Sequence, residues 1–188
     1  MKLKKFEGNP ILSPTDANDW ESLVTCNPGV IYDDGTFYML YRAAGNDAEH
    51  VIRLGLATSK DGFHFERVSD MPAFGPSEDG PDSGCVEDPR IVKYDTEYYI
   101  TYAYRPYSPG QYWNFGHDEI LLPECGSDAP MALRKNLGNT GLAVTTDFRE
   151  FKRLGRLTSP VLDDRDVILF PEKVQGKYVM LHLSLIHI

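Results

Sequence analysis

The sequence predicts an all-β protein assembled from four-stranded units of the propeller-blade kind, about three of them in 188 residues. Three observations carry that expectation. A strand–turn–strand pattern recurs three times, a second segment recurs after the first two hairpins, and aromatics come in short pairs such as Phe37-Tyr38 and Tyr98-Tyr99, as half-buried strands hold them.

The hairpins read Asn27-Pro-Gly-Val-Ile-Tyr with Thr36-Phe-Tyr-Met-Leu-Tyr, Asp88-Pro-Arg-Ile-Val-Lys with Glu97-Tyr-Tyr-Ile-Thr-Tyr, and Phe170-Pro-Glu-Lys-Val with Lys177-Tyr-Val-Met-Leu-His. Turn residues of the Asp/Gly/Thr kind separate the two runs of each. The second segment, Leu54-Gly-Leu-Ala-Thr-Ser with Asp61-Gly and Thr140-Gly-Leu-Ala-Val-Thr with Asp147, supplies a third strand, a turn and a short outer strand. From Pro28 to Gly55 is about 27 residues, whereas Pro89 to Gly141 is about 52, so an insertion falls in 105–139. It holds four prolines around Tyr112-Trp113-Asn114-Phe115 and reads as a loop, either a surface excursion or a lid whose aromatic faces contribute to a ligand subsite. Met71 to Gly84, rich in Gly, Pro and Asp, reads as a second such loop.

Composition narrows function mainly by exclusion. A formal net charge of −9 weighs against nucleic acid and anionic membranes, whose phosphates need a basic face. No segment approaches the ~20 apolar residues of a membrane span, and the expectation is a cytoplasmic protein. Cys26, Cys85 and Cys125 are far apart and outside any CxxC pair, so neither a disulfide framework nor a metal site is indicated. About three blades cannot close a ring, so the chain reads as truncated. Residues 183–188, Leu-Ser-Leu-Ile-His-Ile, match the translation of a sequencing-library adapter; residues 1–182 are then expected to be one partial propeller domain and 183–188 a non-native tail.

The segment with most chemistry is Cys85-Val-Glu-Asp-Pro-Arg, two carboxylates and an arginine where a strand begins. Pro89 disfavours helix at Asp88 and predicts an extended or turn conformation there. In an extended segment Glu87 and Asp88 point to opposite sides, so one of them faces the channel and the two are not a facing acid/base pair. The matching position of the first repeat carries Asn27, and its outgoing strand ends in Arg42, so polar groups converge from successive repeats as a hydroxyl-rich ligand requires.

Asn9-Pro-Ile-Leu, Asn27-Pro-Gly-Val, Tyr41-Arg-Ala, Arg53-Leu-Gly-Leu-Ala-Thr-Ser with Asp61-Gly, Glu87-Asp-Pro-Arg-Ile, and Asp166-Val-Ile-Leu-Phe-Pro-Glu-Lys with Gly176-Lys-Tyr resemble, in this order over residues 9 to about 182, glycoside hydrolase family 130. The resemblance implies a five-bladed β-propeller that cleaves β-mannosides with inorganic phosphate, by inversion, to α-mannose 1-phosphate. It implies Asp88 as the one catalytic acid, its proton relayed through a mannosyl hydroxyl. Asn27, Arg42 and Arg53 are carried over as mannosyl contacts, Arg165 as the leading phosphate ligand and Lys173 as a weaker one. The implied partners are a β-mannosyl oligosaccharide and phosphate as co-substrate, with no cofactor and no metal; a homo-oligomer of the full-length protein is compatible with this. Phosphate is anionic at neutral pH and needs no general base, which is why one carboxylic acid suffices where an inverting hydrolase uses two. The competing expectations are a water-using β-mannosidase of the same family and a non-catalytic sugar-binding propeller.

Overall fold

The computed structural model describes residues 2–111 and 122–183. Strands β1 (Val24–Asp33), β2 (Thr36–Ala44), β3 (Arg53–Ser59) and β4 (Glu66–Arg67) form an antiparallel sheet in sequential order. Strands β5 (Cys85–Tyr94), β6 (Glu97–Arg105), β7 (Asn139–Thr145) and β8 (Lys152–Arg156) form a second sheet of the same order. Each is an up-and-down meander, the form that a propeller blade takes.

Local chemistry closes these meanders. Asp34 and Gly35 both take left-handed φ values, 43° and 71°, in the two-residue turn that matches strand twist. The β3–β4 and β7–β8 turns share another device. The Asp61 carboxylate accepts from the Phe63 and His64 amides, and that of Asp147 from the Arg149 and Glu150 amides.

The third hairpin is shorter than its sequence suggests. Its strands β9 (Ile168–Leu169) and β10 (Met180–Leu181) span two residues each, with a separate Val174–Lys177 bridge at the turn. A ribbon of two strands is marginal without a further neighbour, and among the described residues no third strand pairs with it.

The core lies between the two sheets. Leu40 and Leu56 of the first meet Tyr98 and Ile100 of the second around Phe148, while Leu54, Val86, Tyr102 and Ala143 close over Phe74. Residues 71–84 are thus a packing element as well as a connection: Phe74, only 5% exposed, docks on Leu54 through backbone hydrogen bonds in both directions. Met39 and Tyr41, alternating with Leu40, face the other side of the first sheet and pack on Leu12 and Trp20.

Among the described residues, the insertion at 105–139 contains one helical turn, α1 (Met131–Arg134), where a loop is expected from composition. Its first residues return to the β2–β3 connection, with the Gly110 amide donating to the Glu49 carbonyl at 3.0 Å. Tyr112 to Phe115 lie outside the described residues.

Candidate active site

The site is built where β1 and β5 begin. Each strand carries a β-bulge at its X-Pro step, between Cys26 and Gly29 in β1 and between Glu87 and Arg90 in β5. At the two equivalent residues the backbone is left-handed, φ 43° at Asn27 and 53° at Asp88. Such non-glycine conformations cost about 1–3 kcal/mol and concentrate at functional positions. A Cβ on Gly29 would stand 2.6 Å from the Pro89 carbonyl oxygen, so the bare glycine lets the bulges approach.

Asn27 Nδ2 donates to Asp88 Oδ1 at 3.0 Å, and Arg42 Nη1, from β2, donates to the same oxygen at 3.1 Å. The same Nη1 lies 2.7 Å from Glu87 Oε2. The opposite-side expectation for Glu87 and Asp88 is therefore corrected: the bulge breaks the alternation of an extended strand and turns both carboxylates onto one guanidinium. Glu87 is the buried member, its side chain 6% exposed against 22% for Asp88. Burial opposes the charge on Arg42, but Glu87 and Asp88 outweigh it and push the guanidinium up.

Behind this cluster is a cavity of about 110 Å³ lined by Arg42, His50, Glu87, Arg105, Pro109 and Arg165. Arg105, the last residue of β6, is buried, and its Nε lies 3.8 Å from Glu87 Oε1. Burial pushes the His50 imidazole down, helped by the Arg42 charge and opposed by a hydrogen bond to the Gly45 backbone. Arg165 lies across Gly138, where a Cβ would stand 2.0 Å from its Cδ, and pairs with Asp163 at 2.8 Å. Arg42 Nε is buried with no hydrogen-bond partner among the described residues.

Of the residues singled out from sequence, the fold brings Asp88, Asn27 and Arg42 into direct contact and places Arg165 in the adjoining cavity wall. Arg53 stands apart. Its Nη1 donates to the Val51 carbonyl, and it lines an open cavity of about 550 Å³ with Asp19, Trp20, Ser22, Asn46 and Asp47. Lys173 is not brought to the cluster: its ammonium sits 4.6 Å from the Tyr178 ring centroid, and that ring packs on Tyr94 at the far end of β5. Sequence reasoning missed Arg105 and His50 and had Glu87 only as one of two carboxylates at the start of a strand. The one available signal was a charged residue closing β6, beside the start of the insertion.

Comparison with known proteins adds the family. The glycoside hydrolase 130 model, described as beta-1,4-mannooligosaccharide phosphorylase, matches residues 2–113. The chain belongs to glycoside hydrolase family 130. Within that family it is similar to the 1,2-beta-oligomannan phosphorylase of Thermoanaerobacter sp. (strain X514), 34% identical over 97% of this chain and 53% of that protein. A beta-1,2-mannobiose phosphorylase of the same strain is 30% identical over 97% of this chain and 54% of its own length. The chain thus spans about half the length of the curated relatives it matches. Among solved structures, the beta-1,2-mannobiose phosphorylase from Listeria innocua, in complex with beta-1,2-mannobiose, superposes with a TM-score of 0.67 at 21% identity, over 97% of this chain and 59% of that one. At that identity the likeness concerns the fold.

Proposed function

We propose that the protein is a family 130 β-mannoside phosphorylase. Asp88 serves as its general acid, in a five-bladed propeller to which the two complete sheets and the β9–β10 hairpin contribute the beginnings of three blades. The observation that carries this reading is the convergence of Asn27 and Arg42 on Asp88 beside a cavity walled by three arginines. In the reaction the C1–O bond to the leaving sugar breaks as a phosphate oxygen bonds to C1 from the opposite face. The departing oxygen takes a proton that originates on Asp88, passed through a mannosyl hydroxyl. Asp88 Oδ1 already accepts from Asn27 and Arg42, and among the described residues its Oδ2 accepts from no protein donor, which leaves that oxygen for the mannosyl hydroxyl.

Phosphate is the co-substrate, and guanidinium groups suit it because each can engage two of its oxygens. Arg165 is the leading ligand: Glu87 holds Arg42 and approaches the buried Arg105, whereas Asp163 meets Arg165 only at its Nε and the Arg165 side chain is 37% exposed. Arg53, which lines the separate open cavity with Asp19 and Trp20, is assigned in this reading to a more distant sugar hydroxyl. The β-1,2 linkage is the first to try, because the two Thermoanaerobacter relatives are named for it. The reading also takes the protein as cytoplasmic; among the described residues no helix is long and apolar enough to cross a membrane.

The test is cleavage of β-1,2- and β-1,4-mannobiose by the full-length protein with and without phosphate, with products identified. Phosphate-dependent release of α-mannose 1-phosphate is expected. Free mannose at equal rates in both conditions would make it a β-mannosidase, and binding without turnover would make it a sugar-binding propeller.

A further inference from the structure

Away from the active site, the two complete sheets share a buried polar unit. In the first, Tyr41 OH donates to Glu21 Oε2 at 2.9 Å and Arg67 Nε donates to both Glu21 oxygens at 2.9 Å. In the second, Tyr102 OH donates to Asp82 Oδ2 at 3.0 Å and Arg153 Nε to the same oxygen at 2.7 Å. Register shows the positions to be equivalent: Tyr41 faces Gly55 and Tyr102 faces Gly141, while Arg67 pairs with Ala57 and Arg153 with Ala143. The second guanidinium nitrogen repeats as well, Arg67 Nη2 donating to the Ser13 carbonyl and Arg153 Nη2 to that of Gly75. Both glycines are required, because a Cβ on Gly55 or Gly141 would stand 2.2 or 2.5 Å from the facing tyrosine Cζ.

Each carboxylate precedes its bulge residue by six positions, Glu21 before Asn27 and Asp82 before Asp88. The same offset from Phe170 leads to Asp164, whose side chain is 3% exposed. Each tyrosine follows the first residue of its second strand by five positions, and the same count from Lys177 leads to His182. His182 Nδ1 indeed lies 2.8 Å from Asp164 Oδ2. The acid and the ring of a third unit are therefore in place, the ring being imidazole. Asp164 Oδ1 is buried with no hydrogen-bond partner among the described residues, and an unsatisfied buried carboxylate oxygen is costly.

We propose that Asp164 Oδ1 is a guanidinium-binding slot, the acceptor for an arginine on the outer strand of its own blade, at the position Arg67 and Arg153 occupy in theirs. A guanidinium suits the slot better than an ammonium because the repeated geometry asks for two N–H groups in one plane, one for the carboxylate and one for a loop carbonyl. Because Arg165 follows Asp164 directly and lines the active-site cavity, the slot sits where blade closure meets the candidate site.

The slot can be probed in the 188-residue chain with methylguanidinium chloride, using methylammonium chloride at equal ionic strength as the control. The readout is the NMR shift of the His182 ring protons. A saturable shift with methylguanidinium, at least about tenfold weaker with methylammonium and lost in Asp164→Asn, is expected. As a second measurement, methylguanidinium should restore the melting temperature of Arg153→Ala, where the same slot has been vacated in the second sheet. No shift at His182, an equal response to both cations, or a response that survives Asp164→Asn overturns the proposal. None of these readouts involves turnover, so the slot and the phosphorylase reading stand or fall separately.

Discussion

Replacing Arg42 by Met keeps most of the side-chain stem and removes the guanidinium that, among the described residues, holds both carboxylates of the site. Glu87 would lose its 2.7 Å partner while remaining 6% exposed, and Asp88 would lose a 3.1 Å donor. Breaking a buried pair from one side costs about 3–5 kcal/mol, because the remaining charge stays buried. Two features reduce that here: Arg105 still stands 3.8 Å from Glu87, and the Arg42 side chain is itself 21% exposed. The expected loss is therefore roughly 2–3 kcal/mol. Removing the stranded charge as well, in Arg42→Met with Glu87→Gln, should recover at least about 1 kcal/mol relative to the sum of the single changes. Urea unfolding at pH 7, followed by tryptophan fluorescence with slopes compared between variants, measures both quantities. A cost under about 1 kcal/mol for Arg42→Met, or strict additivity in the double variant, would refute the claim that Glu87 is held as a buried anion by this guanidinium.

In the full-length protein Asp88→Asn should lower kcat about 10²–10⁴-fold, the range of a lost general acid, while mannoside binding by calorimetry changes little; a few-fold loss would place the acid elsewhere, with Glu87 next. Arg165→Ala should raise the KM for phosphate by about tenfold or more and leave the KM for mannoside nearly unchanged, and parallel increases would remove it from the phosphate site. Gly29→Ala should cost about 1–3 kcal/mol, because the new Cβ would meet the Pro89 carbonyl oxygen at 2.6 Å and force β1 and β5 apart; a neutral urea midpoint would show that the strands can shift freely. Burial pushes the Asp82 carboxyl up, but its bonds with Arg153, Ser77 and Tyr102 outweigh that and hold it below the usual range. A depressed folded-state value contributes stability above the unfolded pKa of about 3.9 that is lost as pH falls through that region. Asp82→Asn should therefore flatten the acid side of the stability profile, and parallel profiles for the two proteins from pH 7 to pH 3 would contradict the assignment.

Much of the fold was legible in the chain itself, because a blade is local. Alternating apolar residues with Asp-Gly, Asp-Thr or Asp-Phe turn chemistry specify each hairpin of the two sheets over a few residues, and the repetition of Leu-Gly-Leu-Ala and Thr-Gly-Leu-Ala-Val marks the third strand of both. Asp88, Asn27 and Arg42 could be singled out for the same reason, since each sits at a fixed place in the repeat. The third hairpin was overread, because its pattern is present but a strand also needs a neighbour to pair with.

Only the tertiary structure decided how these residues face one another. The bulges at Asn27 and Asp88 override the two-residue alternation, so no periodicity argument could have turned Glu87 and Asp88 onto one guanidinium. Arg42 and Asp88 are 46 positions apart, and their contact depends on how two separately specified sheets pack, with Gly29 permitting the approach. The same packing parts Arg53 and Lys173 from the cluster and adds Arg105 and His50 to it. A single sequence records which residues a strand contains and which face each takes; the distance between charges on different sheets is set by side-chain volumes in the core between them, which no local pattern encodes.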